Sequence, residues 1–289
     1  MRKFNNTEGV FMQKKLIFYA FLFTTSIKAG EAMEVIDESS EHVPSISQSN
    51  TKLLYLYDTY NGEHSSKIIR KGSDQKKGNF FILDETIFYP QGGGQPSDTG
   101  VFVINDKSYN VSFASSVEGV VHHYIEGDIS NVEVGQVALL KINMEKRLLH
   151  AKIHTGGHLL EGVLEKFAPE LVGFKGYHFP EGPSVEFKGK LTSLSNTQLI
   201  EQVNLSLKEM ILKKHDVIVK EVDLEGLKKL CGNSDVPLND NTARIVTIDK
   251  FKPIPCGGTH IKNLSELKSV SIRKVQNNKG NTKISYIAN

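Results

Sequence analysis

The sequence has few cysteines, little net charge and no apolar run long enough to cross a bilayer. Its 289 residues include two cysteines, and the formal charge is +2. Two cysteines cannot build a disulfide framework, and a membrane-spanning helix needs about 20 apolar residues. So small a charge gives no overall cationic field of the kind that marks a nucleic-acid binder. What remains is a globular chain, 39% hydrophobic, with room for two modest cores.

The first fifty residues differ from the rest. Lys14 and Lys15 precede the apolar run Leu16–Phe23, and small residues follow as far as Ala32. This is the layout of a bacterial secretory signal, although an extension from an upstream start codon explains it equally well. The remainder is polar and serine-rich, as in a linker. We therefore predict a signal-like or disordered leader over residues 1–50.

From residue 51 to residue 142, short runs of β-branched and aromatic residues alternate with Gly, Asn and Asp. Such a pattern is typical of β strands. The runs are LLYLYDTY, SKIIRK, NFFILDETIFYP, GVFVIND, KSYNVSFASS, GVVHHYI and QVALLKIN. The segment is predicted to form a small β-rich domain.

From residue 143 to residue 289 the pattern changes. Apolar positions, beginning with Leu148 and Leu149, recur at helical spacings and predict one long helix. A second helical pattern follows, for which Thr192 or Ser193 is the expected N-cap. Around them lie a short helix at LEGLKKL and strand-like segments at PSVEFKG, VIVKEVD, RIVTID, SVSIRKVQ and KISYIAN. The chain is therefore predicted to be α+β, with a mixed second domain.

Four candidate metal ligands occur as two pairs. His154 and His158 are four residues apart on the first predicted helix, so they project from one face. Cys256 and His260 are four apart in a Gly-rich turn after a predicted strand. Each residue alone has an ordinary structural explanation, but a thiolate with imidazoles suits tetrahedral zinc. We predict one Zn²⁺ per chain at these four residues.

Two features of the helical motif restrict its chemistry. Gly156 and Gly157 each cost a helix about 1 kcal/mol relative to alanine, so a ligand or another segment must approach closely. The flanking histidines favour a ligand. Thr155 stands where a zinc protease of the H-E-x-x-H type has its glutamate base, which argues against peptidase chemistry.

A third motif, FYPQGGGQPSDTG, runs from Phe88 to Gly100 in the β-rich part. Three consecutive glycines stand between Gln91 and Gln95. The motif lacks the terminal Lys-Ser/Thr of a phosphate-binding P-loop, and glycines of this kind usually permit a turn between strands.

These motifs and their order resemble those of a known family. LDETIFYPQGGGQPSDTG, HTGGHLL, GYHFPEG with VEFKG, and RIVTIDKFKPIPCGGTHIKN are similar to segments of the free-standing alanyl-tRNA editing proteins, the AlaX family, and of the editing region of alanyl-tRNA synthetases. The similarity runs from about residue 51 to the ending SIRKVQNNKGNTKISY. It implies an N-terminal β-barrel domain at 51–142 and an α+β zinc-containing editing domain at 143–289.

The resemblance also implies an activity. Members hydrolyse, without ATP, the ester that joins serine, and in some cases glycine, to alanine tRNA. A small pocket cannot strongly reject an isostere with one added hydroxyl, so a second hydrolytic site must remove the error. The family's metal ligands carry over to His154, His158, Cys256 and His260. Because catalytic zinc sites keep an open position, we expect one ligand to be loosely held or zinc mainly to position the substrate.

Two groups of residues are predicted to contact the substrate. Those for the aminoacyl group are Thr155, Gly156, Gly258, Thr259, Gln91 and Gln95. Those for the tRNA backbone are Lys268, Arg273 and Lys274, near Lys279 and Lys283. The hydroxyls of both threonines have a local structural role as an equal alternative, and charge runs are usually solvated surface. The glycines in HTGGHLL replace bulkier residues of many relatives, which leaves the serine or glycine preference open, and Asn143 replaces a common acidic residue.

Two other functions compete with the deacylase. A non-catalytic tRNA-binding module would use zinc only to stabilise the second domain, and an exported metalloprotein would explain the signal-like leader. A tRNA editor needs its substrate, mischarged alanine tRNA, so we expect the cytoplasm, no membrane association of the folded part, and a monomer or homodimer.

Overall fold

The computed structural model describes residues 50–232 and 241–289, so the signal-like leader lies outside the described residues. In the described part of the chain, eight strands precede residue 143. They are β1 (Lys52–Leu53), β2 (Glu63–Asp74), β3 (Gly78–Leu83), β4 (Glu85–Thr86), β5 (Gly100–Ile104), β6 (Lys107–Val117), β7 (Val120–Ile125) and β8 (Val137–Ile142). Most of the predicted runs are therefore strands.

Six of these strands close into an antiparallel barrel in the order β2-β3-β7-β6-β5-β8, and β8 pairs with β2 to complete it. Alternate residues of a strand face opposite sides, so Ala138, Leu140 and Ile142 of β8 point inward. They meet Phe81 and Phe102, both fully buried. Closure leaves the barrel without an unpaired edge. The predicted β-barrel is confirmed.

The predicted strand LLYLYDTY is largely wrong. Only Lys52–Leu53 is a strand, and a single 3-10 turn, Leu54–Leu56, follows it. The reason is that this segment packs against other elements and does not form the hydrogen-bond ladder of a sheet. Tyr55 is buried with its ring edge-on to Tyr89, at 5.2 Å between centroids. The backbone carbonyl of Thr59 accepts a hydrogen bond from a buried arginine described below.

Three helices and seven strands follow in the described part of the chain. They are α1 (Met144–Phe167), β9 (Val172–Tyr177), β10 (Ser184–Lys188), α2 (Asn196–Leu212), β11 (Val217–Asp223), α3 (Leu224–Cys231), β12 (Thr242–Ile248), β13 (Ile254–Pro255), β14 (Val270–Asn278) and β15 (Asn281–Ala288). The α+β prediction is confirmed, although β9 and β13 were not anticipated. Among the described residues, no helix is both long enough and apolar enough to span a membrane.

The second group of elements forms two sheets. One has the order β14-β15-β10-β9 and the other β11-β12-β13, and both are antiparallel. Helices α1 and α2 pack against the four-stranded sheet, with Leu159, Leu160, Leu199 and Leu207 in their shared core. In the four-stranded sheet, β9 is one edge strand and β14 is the other.

Helix α1 begins as predicted but buries a different face in its first turn. The side chain of Asn143 caps it by accepting the N–H of Lys146, a role that needs no acidic residue. Leu149 is 40% exposed, whereas Arg147 is fully buried. The prediction that Leu149 lies on the buried face is thus wrong, because the ion pair of Arg147 turns the side of the helix that carries Arg147 inward.

The N-cap of α2 is Ser195, not Thr192 or Ser193. Ser195 and Gln198 form a reciprocal capping box. The backbone N–H groups of Thr192 and Ser193 instead donate to the carboxylate of Glu170, each at 3.0 Å. That carboxylate holds the two residues in the preceding loop.

Candidate metal centre

Four side chains meet between α1 and the loop after β13. They are His154, His158, Cys256 and His260. Each offers one ligand atom, and no two of these atoms lie more than 4.8 Å apart. The three imidazoles are buried and the cysteine is half-buried. The structure therefore brings together the two pairs that the sequence singled out.

Two of the imidazoles are oriented by hydrogen bonds on the side away from the cluster. Nδ1 of His154 donates to Oε1 of Gln95 at 2.7 Å. Nδ1 of His260 lies 3.0 Å from Oγ1 of Thr155. In both rings Nε2 faces the sulfur of Cys256, at 3.4 Å. Such outer partners fix the ring orientation and tautomer of metal-binding histidines.

The electrostatics leave the imidazoles neutral. Burial lowers the pKa of His154 and His260 well below the ordinary histidine value and that of His158 to about 3, and neighbouring imidazoles and Arg244 lower them further. Burial also raises the pKa of the Cys256 thiol. At neutral pH the rings thus carry free lone pairs, and the thiol must release a proton when a cation binds.

The donor set and its spacing fit zinc. With Zn–S near 2.3 Å and Zn–N near 2.0 to 2.1 Å, tetrahedral S and N ligands are about 3.6 Å apart, close to the 3.4 Å between Cys256 and each facing Nε2. The buried Nδ1 of His158 has no hydrogen-bond partner among the described residues. Burying such a group unpaired is costly. A cation bound by this nitrogen would offset that cost.

Three glycines at the cluster make room for protein groups. A Cβ at Gly258 would collide with the ring of His154, so this glycine lets the loop lie on the helix. A Cβ at Gly156 would be 2.7 Å from Cβ of Ala288, and one at Gly157 would be 2.5 Å from Cε1 of His178. Close packing of other segments therefore accounts for the helical glycines, the alternative that the sequence left open.

A cavity of about 300 Å³ opens beside the cluster. Three residues of the cluster, His154, His158 and Cys256, line it, together with Gly93 of the Gly-rich loop and residues of β9. The candidate metal ligands therefore border a space that can receive a small molecule, the usual arrangement of a binding site.

His178 lies at the site, although the sequence motifs do not single it out as a functional residue. It lines the cavity, and its ring stacks on that of His154 at 4.3 Å between centroids. The hydroxyl of Tyr286 donates to the carbonyl of Ile153 and accepts Nδ1–H of His178 at 2.7 Å. This leaves Nε2 as an acceptor, and burial lowers the pKa of His178 to about 4. The only signal for it was its place in GYHFPEG.

The other predicted substrate contacts lie in different surroundings. Thr155 and Thr259 are fully buried, and their hydroxyls bond to His260 and to Gln95. Neither lines the cavity. Gln91, by contrast, is exposed, and its backbone N–H donates to the barrel. Thr155 therefore holds the ring of His260 in place, and Thr259 holds the side chain of Gln95.

The cations predicted to contact tRNA lie at the far edge of the sheet. Arg273 and Lys274 are exposed on β14, and Lys268 is exposed just before it. The cavity is lined by β9 at the opposite edge. Three strand spacings separate these edges, or about 14 Å. Lys175 of β9 is the cation that lines the cavity itself.

We expect Gln95→Leu to weaken zinc binding by about 10- to 100-fold, because outer partners of ligating histidines usually contribute this much. The leucine cannot accept Nδ1–H of His154 or donate to Thr259. Zinc affinity measured by competition with a chromophoric chelator checks the result. Gln91→Leu, four residues earlier and exposed, is the matched control. Equal affinities for the two variants would contradict the prediction.

Two family sequence models match the chain. The model described as tRNA synthetases class II (A) matches residues 23–146, which include the Gly-rich motif. The model described as threonyl and alanyl tRNA synthetase second additional domain matches residues 243–285, which include Cys256 and His260.

Individual relatives extend this similarity over most of the chain. The alanyl-tRNA editing protein AlaX-M of Methanosarcina barkeri is 32% identical over 78% of this chain and 94% of its own length. AlaX-L of Pyrococcus horikoshii is 31% identical over 76% of this chain, which spans about half, 53%, of that protein. The alanine tRNA ligase of Ignicoccus hospitalis is 29% identical over 97% of this chain but only 31% of its own length.

Proposed function

Because this chain belongs to the family of alanyl-tRNA editing proteins, we propose that it is a deacylase that hydrolyses serine from mischarged alanine tRNA. The glycyl ester is the second candidate substrate. Water breaks the bond between the acyl carbon and the ribose oxygen, giving the free amino acid and an intact tRNA hydroxyl. A separate editing site is needed because alanine and serine differ by one hydroxyl, which a small synthetic pocket rejects poorly.

The observation that carries the proposal is the cluster His154, His158, Cys256 and His260 beside a cavity. These residues would hold one Zn²⁺. When bound, zinc would supply Lewis-acid polarisation of an ester carbonyl or a more acidic water. The cavity favours the deacylase over a module with a purely structural zinc, because it leaves room for a substrate beside the four residues.

The chain's own residues prepare the cavity. Gln95 and Thr155 fix the rings of His154 and His260. His178 presents an uncharged acceptor beside them, held by Tyr286. These groups are set before any substrate arrives, so orienting an aminoacyl ester costs little reorganisation.

The positions of these residues support a division of labour between the two predicted domains. We assign the chemistry to the α+β domain, 143–289, which supplies the four ligands. The barrel domain, 51–142, supplies Gln95 and the Gly-rich wall of the cavity. For the tRNA backbone we propose Lys175 at the cavity, and Lys268, Arg273 and Lys274 for phosphates farther from the ester.

The experiment is a deacylation time course with alanine tRNA carrying serine, glycine or alanine. We expect seryl ester to be hydrolysed in the presence of Zn²⁺, alanyl ester to persist, and chelation to stop the reaction. The glycyl ester fixes the second substrate. Seryl ester left intact by the zinc-loaded protein would refute the proposal. Chelator-resistant deacylation would refute the role of zinc while keeping the activity.

A further inference from the structure

A carboxylate that belongs to no metal-ligand pair stands next to the cluster. Glu161 lies three residues after His158 on α1, on the same side of the helix. It lines the 300 Å³ cavity and also an adjoining one of about 540 Å³. A Cβ at Gly173 of β9 would collide with Oε1 of Glu161. The glycine therefore makes room for the carboxylate where the two cavities meet.

Within residues 50–232 and 241–289, no group donates a hydrogen bond to Glu161 or forms an ion pair with it. Burial raises the pKa of this carboxyl group, Glu165 raises it further, and Lys252 lowers it. A half-buried carboxylate without a partner is unfavourable. A cation in the cavity would supply the missing partner and favour the ionised form.

The remaining lining of the cavity does not offer another anion. His154, His158 and His178 are neutral and supply imidazole nitrogens, and the thiolate of Cys256 would be taken up by the proposed zinc ion. Glu161 is therefore the group there that can neutralise a ligand's positive charge. A charge-assisted hydrogen bond to such a carboxylate is about twice as strong as a neutral one.

We propose that Glu161 binds the α-ammonium group of the esterified amino acid, an inference that rests on the proposed deacylase function. The ammonium is one carbon away from the ester carbonyl, so one contact would anchor the acyl group beside the metal ligands. The ammonium is common to serine, glycine and alanine. Glu161 therefore sets the orientation of the acyl group and excludes esters that lack a free amine, such as peptidyl-tRNA.

The test compares Ser-tRNA(Ala) with its glyceryl analogue, in which a hydroxyl replaces the amine. The two esters have nearly the same size but differ in charge. For the wild type we expect kcat/KM to favour the seryl ester by about 10- to 100-fold, the range for a hydrogen bond between charged groups. In Glu161→Gln the seryl ester should lose that factor while the glyceryl ester is unchanged, so the ratio approaches one.

Glu145→Gln is the matched control, since it removes the same charge at an exposed position in the first turn of α1. It should keep the wild-type ratio. Zinc content, measured for each variant, should stay at the wild-type value. Equal losses on both esters in Glu161→Gln, or an unchanged ratio, would overturn the proposal. A wild type that hydrolyses neither ester would instead refute the deacylase function, before the variants are compared.

Discussion

Cys256→Ser is expected to lose bound zinc and to lower deacylation by roughly 100-fold or more, beyond the effect of an outer-partner change. The thiol faces Nε2 of His154 and of His260 at 3.4 Å. A serine hydroxyl does not ionise near neutral pH and is a harder donor than thiolate, so it is a poor zinc ligand. Zinc stoichiometry by mass spectrometry and single-turnover deacylation measure the two losses.

Cys231→Ser is the matched control for this prediction. Cys231 is the other cysteine, half-buried on α3 and outside the cluster. It should keep full zinc content and activity. A Cys256→Ser protein that loses zinc yet retains activity would refute the role of zinc in the reaction, whereas one that retains both would contradict the ligand assignment.

Arg147→Met is expected to lower the free energy of unfolding by about 3 to 5 kcal/mol, the cost of removing one partner from a buried ion pair. The guanidinium of Arg147 is fully buried. It donates to both carboxylate oxygens of Asp98 and to the carbonyls of Thr59 and Ile87. Methionine fills a similar volume but leaves these acceptors unpaired. Guanidinium-induced unfolding of zinc-loaded protein measures the change.

Lys146→Met, next to it on the exposed side of α1, is the control and should change stability by less than about 0.5 kcal/mol. The double variant Arg147→Met, Asp98→Leu should recover only part of the loss. It removes the unpaired carboxylate but also the acceptor of the Tyr89 N–H. A single variant as stable as the wild type would contradict the structural role of the pair.

The ion pair also bears on the site. Asp98 is three residues after Gln95 in the Gly-rich motif, and Arg147 is two helical turns before His154. Their contact fixes the loop against α1, which allows Gln95 to reach His154. The barrel and the metal cluster are thus coupled through one buried pair, and Arg147→Met should weaken zinc binding as well as stability.

The features that depend on local spacing could be predicted from the amino-acid sequence. The strands followed from runs of β-branched and aromatic residues between turn residues, and the long helix α1 followed from its periodicity. The pairing of His154 with His158 on one helix face, and of Cys256 with His260 in one turn, followed from their spacing of four residues. Resemblance of ordered motifs supplied the family. Errors at this level, such as Leu149 and the cap of α2, arose where a distant side chain overrode the local preference.

The groups that complete the site are distant in sequence, and packing of the folded chain brings them together. Gln95 orients His154 across 59 residues of sequence, and Tyr286 holds His178 across 108. In the sequence, Glu161 is one polar position on an amphipathic helix. In the fold, Gly173 of β9, a strand that was not predicted, lies against it. A local pattern predicts the face of an element on which a residue lies. It does not predict which residue of another element packs against that face. The four candidate metal ligands could be predicted from the sequence because each pair is local, whereas the cavity and its carboxylate depend on contacts between separate elements.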